Sequence, residues 1–249
     1  MVQSSNADAR DIVRSLNTPY SPETDTRAVH RVLVIACVFT VVGGYTDAYS
    51  YLAHSGVFAN AQTGNVVLLG VYASGGNWQA AARHVPPITA FAAGVAVSIV
   101  LGVRPQKRDF SQTLICQLGE FVIICLLVAV GDVIPEAWIV PVLSFVAAVQ
   151  NTTLNTIGAW SFNSAMTTGN LRSATSGLVL WMLRREPAEN GRKAVALGLI
   201  CFSFLIGAVA GGYCTRIDEI HALAPCAAIV AVGILLTWQE RRRRLCLLR

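Results

Sequence analysis

Long apolar stretches, separated by short polar joins, set the pattern of this chain. Six of them are long enough to cross a bilayer: Val32–Leu52, Ile88–Val103, Thr113–Val130, Ile139–Ile157, Ala194–Tyr213 and Ala222–Gln239. Runs of this length predict transmembrane helices. Two further apolar segments fall short of a crossing. Gly64–Ala73 offers only ~15 Å of helix against an apolar core ~30 Å thick. Gly169–Leu183 carries Arg172, Ser173, Thr175 and Ser176 on its first two turns.

Both short segments follow one repeated phrase. The first copy is Phe58-Ala59-Asn60-Ala61-Gln62-Thr63-Gly64-Asn65. The second is Phe162-Asn163-Ser164-Ala165-Met166-Thr167-Thr168-Gly169-Asn170, with one extra Thr. Each copy follows an apolar stretch whose last third turns polar. Paired interruptions at corresponding places in two halves of a membrane protein point to a binding site between the halves.

Loop charge selects the topology. If the two short segments enter and leave on the same face, Arg27, Arg31, Arg104, Lys107, Arg108, Arg184, Arg185, Arg192, Lys193 and Arg241–Arg244 share one side. The acidic turn Asp132…Glu136, the loop with Arg216, Asp218 and Glu219, and the loop with Arg83 take the other. That asymmetry matches the positive-inside rule. The expected fold is therefore an all-α polytopic membrane protein with six transmembrane helices, two short re-entrant half-helices and an inverted-topology repeat. Its parts are a polar cytoplasmic tail over 1–30, a first repeat over 31–132, a second over 138–240 and a basic cytoplasmic tail over 241–249. A second echo fixes the register: Phe91-x-x-Gly94-x-x-x-Ser98 answers Phe204-x-x-Gly207-x-x-x-Gly211. Small residues four apart let helices approach closely in lipid.

Composition agrees with this class. Of 249 residues 54% are hydrophobic and 13% charged, about half the charge of a soluble domain. The net charge of +5 is no nucleic-acid footprint, since Arg241–Arg244 follows an apolar run as a cytoplasmic anchor does. None of the seven cysteines forms a C-x-x-C pair, so they read as small core residues and no metal or cofactor is expected. Trp78, Trp138, Trp160 and Trp238 fall where interfacial anchors belong. The expected partners are the lipid bilayer and a small-molecule solute, with a homo-oligomer left open.

Candidate site residues follow from the repeat. Thr63 and Thr168 suit helix caps, Gly64 and Gly169 permit tight turns near a solute, and Asn65 and Asn170 each supply two donors and an acceptor. Asn60 belongs to the same phrase. The preceding helices bring Asp47 and Asn151, and Gly43-Gly44 marks a weak point in the first of them. Asp47 is an acid within a membrane span, which is a functional-site candidate by default; its other reading is an acid that snorkels to the outer surface or bonds to neighbouring hydroxyls. Glu120 has two readings, a proton-coupling group or a protonated acid bonded to Gln117. Arg172 either draws in an anion or reaches water. The alternative for the whole phrase is a folding device that caps two short helices.

Gly44-Tyr45-Thr46-Asp47-Ala48, the Phe-x-x-x-x-Thr-Gly-Asn phrase and the second Thr-Gly-Asn-Leu resemble the YoaK-like family of bacterial inner-membrane proteins, a domain of unknown function. The resemblance spans nearly the whole chain beyond the N-terminal tail. It implies a multi-pass bacterial inner-membrane protein and carries over Asp47, Thr63, Gly64 and Asn65; the cytoplasmic placing of both termini follows from the loop charges. It brings no established activity.

The functional expectation is a membrane transporter or channel for a small anionic or neutral polar solute. Its site lies between two half-helix N-termini near the midplane, with Asp47 and Glu120 as candidates for proton coupling. The alternatives are an intramembrane enzyme acting on a lipid or small metabolite, or a non-transporting membrane subunit. Against an enzyme, the four histidines are scattered singly and no hydrolase, metalloprotease, phosphate-loop or dinucleotide motif is present.

Overall fold

The computed structural model describes residues 26–103, 110–131, 133–157, 159–164, 167–185 and 187–247. The tail expected over 1–30 lies outside the described residues as far as residue 25. So do Arg104, Lys107, Arg108, Asp132, Ala165, Met166 and the last two residues. The elements in order are α1 (Thr26–Ala53), α2 (Gln62–Ser74), α3 (Trp78–Ala82), α4 (Val85–Val100), α5 (Phe110–Val130) and α6 (Glu136–Thr153). Then come a two-residue antiparallel pair, β1 (Thr156–Ile157) and β2 (Trp160–Ser161), and the helices α7 (Thr168–Met182), α8 (Pro187–Ile217) and α9 (Leu223–Leu247).

Five stretches are long and apolar enough to cross a membrane: Arg27–Ala53, Trp78–Val100 (α3 and α4 together), Phe110–Val130, Ala188–Ile217 and Leu223–Cys246. Their outward faces carry Ile99, Val100, Ile115, Val122, Leu126, Phe202, Leu205 and Val209, all exposed. A contiguous apolar exterior of this kind is untenable in water and natural in lipid. The chain is an all-α, multi-pass membrane protein. α6 has 18 residues and a polar C-terminal end, while α2 and α7 have 13 and 15, ~20 and ~22 Å of helix.

Two expectations about helix bounds need correction. The fourth apolar stretch does not stay helical to Ile157. It ends at Thr153, where Leu154 turns out of the helix at φ −123°, and the chain makes the short β1–β2 pairing. Gln150 to Asn155 carry side chains that bond to nearby backbone and compete with helix propagation; Thr152 and Thr153 bond the carbonyls of Ala148 and Gln150 in this way. Gly43-Gly44 does not weaken α1, which runs unbroken from Thr26 to Ala53.

The glycines serve helix packing instead. A Cβ on Gly207 of α8 would sit 2.0 Å from the Val41 carbonyl oxygen of α1, and one on Gly44 would sit 2.0 Å from the Phe204 carbonyl oxygen. A Cβ on Gly94 of α4 would sit 2.5 Å from the Phe145 carbonyl oxygen of α6. Backbones come this close only where the side chain is a hydrogen atom. So the two copies of the Phe-x-x-Gly motif do the same job, each seating a helix against the first helix of the other half. The remaining contacts follow suit: α7 packs on α8 as α2 packs on α3 and α4, α9 packs on α1 as α5 packs on α6, and α5 meets α9. Exchanging α1, α2, α3–α4 and α5 with α6, α7, α8 and α9 returns this same set of contacts.

The core lies along α1, where 56% of the apolar window is buried against 22–33% for the other four spans. Phe39, Val42 and Tyr45 of α1 meet Leu197 and Ile200 of α8 and Cys226 and Val230 of α9 in one buried cluster. At its first turns α1 is tied to the end of α9: Arg31 Nε donates to Glu240 Oε2 at 2.5 Å and Arg244 Nε to Glu240 Oε1 at 2.9 Å. Glu240 is 2% exposed, so its charge is compensated from both sides, as a buried carboxylate requires.

Candidate functional site

Each copy of the repeated phrase is a loop closed on itself by the asparagine of its Thr-Gly-Asn. Phe58 N–H donates to Asn65 Oδ1 at 2.9 Å, and Asn65 Nδ2 returns a bond to the Phe58 carbonyl at 2.8 Å. Asn163 N–H donates to Asn170 Oδ1 at 3.0 Å, and Asn170 Nδ2 returns a bond to the Asn163 carbonyl at 2.6 Å. A carboxamide can mimic a peptide unit and satisfy both backbone groups of one residue at once. Non-helical backbone inside a membrane protein needs such satisfaction. Gln62 and His84 complete the first clamp, with Asn65 Nδ2 donating to Gln62 Oε1 at 2.9 Å and His84 Nδ1 standing 3.3 Å from Asn65 Oδ1. His84 is 1% exposed and stacks on Tyr72. Its role was not legible as a motif; a histidine near a membrane edge carries no distinguishing pattern.

A second tie joins each loop to the helix before it. Asn60 N–H donates to Asp47 Oδ1 at 2.7 Å and Ala61 N–H to the same oxygen at 3.3 Å. Ser164 N–H donates to Asn151 Oδ1 at 3.2 Å. Both ties span thirteen residues, so Asn151 occupies the place of Asp47. Asn60 also sends its Nδ2 to the Gly43 carbonyl at 3.0 Å and to Thr46 Oγ1 at 2.8 Å. The clamp closes over seven residues in both copies, so it is anchored on Phe58 in the first and on Asn163, one residue past Phe162, in the second.

The threonines do not cap the helices. α2 begins at Gln62 with Ala61 before it, α7 begins at Thr168 with Thr167 before it, and neither has a side-chain cap bond. The asparagine clamps hold the loops closed in their place. Gly64 is required by the Phe58 ring, which a Cβ would approach to 2.9 Å, whereas a Cβ on Gly169 would meet nothing within 4 Å among the described residues.

Between the two loops lies a cavity of about 950 Å³. Thr63 and Gly64 reach it from α2, and Thr167, Thr168 and Gly169 from the start of α7. Both helix N-termini therefore face one space, and both dipoles are positive there. Asp47, Ala48, Tyr51 and Leu52 of α1 form one wall; Phe204, Ala208, Val209, Gly212, Tyr213 and Arg216 of α8 form the other, with Phe58 and Ala61. The depth can be read from α8. Thr167 faces Cys201, whose Sγ lies 3.8 Å from its carbonyl oxygen, and Tyr45 faces Gly211. Ten residues of helix separate these levels, ~15 Å.

Of the nine expected binding residues, Asp47, Thr63, Gly64, Thr168 and Gly169 line this cavity. Asn60, Asn65, Asn151 and Asn170 do not line it; their amides are engaged with the loops. Glu120 lies elsewhere, buried on α5. The bond expected between Glu120 and Gln117 is not made: Gln117 Nε2 and Oε1 and Glu120 Oε2 have no hydrogen-bond partner among the described residues. Arg172 is exposed on α7 beside a shallow groove with Thr175 and Ser176. The cavity residues outside the motifs are Tyr51, Tyr213 and Arg216; Phe58 and Phe204 stand in the motifs but had no place in the expected site. Arg216 had been assigned to a loop by its charge alone, though it lies one residue inside the end of α8.

A smaller space of about 210 Å³ lies at the C-terminal end of α1, between His54, Arg83, Pro87 and Glu136. His54 Nε2 stands 3.1 Å from the Tyr49 hydroxyl. Its Nδ1 stands 3.5 Å from Glu136 Oε1, too poorly placed for a hydrogen bond. Burial lowers the His54 pKa from its usual 6.5, and Glu136 and Glu219 only partly offset that. No group of three or more His, Cys, Asp or Glu side chains able to hold a metal occurs among the described residues.

Residues 35–236 match the model of one family, described as a protein of unknown function (DUF1275), and the chain belongs to that family. The YoaK-like resemblance of its motifs is consistent with this membership. No curated protein and no solved structure matches the chain.

Proposed function

We propose that this member of an uncharacterised family is a membrane transporter or channel for a small solute, anionic or neutral and polar, and not an enzyme. The observation that carries the proposal is the 950 Å³ cavity reached by both short helices through their N-termini. In the proposed arrangement six helices cross the bilayer and α2 and α7 are half-helices, each entering from the face to which it returns. Three features support it. α2 and α7 are shorter than an apolar core. The contact set is unchanged when the two halves are exchanged. In the proposed topology the basic loops share one side with both termini, which by the positive-inside rule favours the cytoplasm of a bacterial inner membrane for them. Three crossings per half invert the second half relative to the first, so the half-helices approach the cavity from opposite faces. Alternating access then needs only small rocking of one half against the other.

The test is flux into proteoliposomes from a panel of small anions and neutral polar solutes. Ala208→Trp, whose ring narrows the cavity, lowers flux while the protein stays monodisperse and helical. In a background lacking the seven native cysteines, Thr63→Cys and Thr168→Cys both react with a hydrophilic thiol reagent, and the transported solute protects both, since they line one cavity. Unaltered flux in Ala208→Trp, or labelling at the two positions that transported solute leaves unchanged, overturns the proposal.

A further inference from the structure

We infer that the solute held between the two half-helices is a zwitterion with an apolar body, of the chemical class of a branched or aromatic amino acid. The inference rests on the cavity being the solute site. It starts from Asp47, which lines the cavity although it is only 5% exposed. All three hydrogen bonds to its carboxylate fall on Oδ1, from Asn60 N, Ala61 N and Asn60 Nδ2. Oδ2 receives none of them. A carboxylate buried in a membrane bundle calls for a countercharge, and no basic side chain of the described chain lies within ion-pair distance of Asp47. The missing cation is therefore the guest's.

The complementary charge stands on the facing wall. Arg216 is the only basic residue lining the cavity, and it makes no ion pair within the described residues. α1 and α8 run side by side in step, with Val41 opposite Gly207 and Tyr45 opposite Gly211. That spacing sets Asp47 level with residue 213, so Arg216 lies three residues further along, ~4.5 Å. An ammonium and a carboxylate joined through one carbon bridge such an offset, each reaching its partner over a charge-assisted bond of about 2.8 Å. The two helix N-termini add positive potential on the carboxylate's behalf. A free anion meets Asp47, and a free cation meets Arg216 and both dipoles; a zwitterion satisfies all of them. Tyr51, Phe58, Phe204 and Tyr213 make the rest of the wall apolar and aromatic, which selects a hydrocarbon or aromatic side chain over a polar one.

The experiment is equilibrium binding of radiolabelled L-leucine and L-phenylalanine to the full chain in detergent. The competitors are 4-methylpentanoate, which lacks the ammonium, and 3-methylbutylamine, which lacks the carboxylate. The expected result is saturable binding of at least one amino acid, with both truncated analogues weaker by tenfold or more. Asp47→Asn, which keeps the Oδ1 acceptor and hence the loop, and Arg216→Gln each weaken binding at least tenfold. Equal competition by either truncated analogue, or undiminished binding in both variants, overturns the inference. Absence of amino-acid binding also overturns it. In that case cavity-dependent flux of some other solute leaves the transport reading standing, and absence of any flux removes both. The analogue series needs no substitution, so it decides the matter even if a variant fails to fold.

Discussion

Replacing Asn65 by Ala separates a clamp from a solute ligand. The wild-type carboxamide makes three bonds of 2.8–2.9 Å, one each with the Phe58 N–H, the Phe58 carbonyl and Gln62 Oε1, and lies 3.3 Å from His84 Nδ1. Truncation leaves the two Phe58 backbone groups without partners. Each buried orphan costs about 1–3 kcal/mol. Hydrogen bonds measured within membrane bundles average nearer 0.6 kcal/mol, so four lost contacts at that rate set a floor of ~2.4 kcal/mol. The expected destabilisation is thus about 2–5 kcal/mol, a sizeable part of the 5–15 kcal/mol typical of a folded protein. Reversible unfolding by SDS in mixed micelles, followed by tryptophan fluorescence, reads it directly. Asn170→Ala produces a loss of the same order, because its two backbone bonds are the same pair. Asn65→Asp is no rescue: it keeps the acceptor for Phe58 N–H but turns an oxygen toward the Phe58 carbonyl and Gln62 Oε1. If both alanine variants unfold within about 0.5 kcal/mol of wild type, the range of an ordinary surface change, while only flux is altered, the clamp argument is wrong and these amides face the solute.

Two further outcomes follow from the packing and from His54. Gly207→Ala forces a methyl to within 2.0 Å of the Val41 carbonyl oxygen and destabilises by about 1–3 kcal/mol or more. Gly70→Ala, with nothing within 4 Å of the new methyl, is neutral or slightly stabilising, and equal SDS midpoints for the two would refute the close-approach account. His54 is held neutral by burial, with its pKa below the usual 6.5, so beneath that pH the unfolded chain takes up a proton that the folded chain does not. Stability is therefore complete above about pH 6.5 and declines as pH falls through that value. His54→Gln flattens this part of the melting-temperature profile between pH 8 and 5.5, and an unchanged slope would show that another group titrates.

The architecture was legible because its signals are long. Apolar runs of eighteen or more residues have few alternatives, and the Phe-x-x-Gly echo placed α4 and α8 in equivalent roles before any contact was known. The two Thr-Gly-Asn phrases likewise located the cavity. What the sequence could not distribute was labour within each phrase. Thr, Gly and Asn all carry chemistry suited to either a cap or a ligand, and only coordinates show that Asn65 is spent on Phe58 seven residues back while Thr63 is left facing the cavity. Arg216 and Tyr213 went unannounced for a different reason. They lie on α8, far along the chain from the first phrase and outside both motifs, and they stand across from Asp47 only because Gly44, Gly207 and Gly211 bring α1 and α8 into contact.

Asp47 and Asn151 hold equivalent places in the two halves but differ in charge, and that difference bears on function. Asp47 and Asn151 hold their loops over the same thirteen-residue reach with the same kind of oxygen, so a carboxamide is sufficient for the structural task. An asparagine at position 47 would spare the protein a buried charge, whose desolvation costs several kcal/mol. The chain carries the charge on one side only. Asn151 directs its Nδ2 to Asn163 Oδ1 at 2.9 Å and is closed off from the cavity, whereas Asp47 lines it. A charge kept where a neutral isostere would fold as well belongs to the guest. On this argument Asp47→Asn matches or exceeds the wild type in resistance to SDS, loses solute binding, and is not mirrored by Asn151→Asp, which adds a carboxylate with no solute to compensate it. A less stable Asp47→Asn protein would reverse the argument and make the carboxylate a structural group.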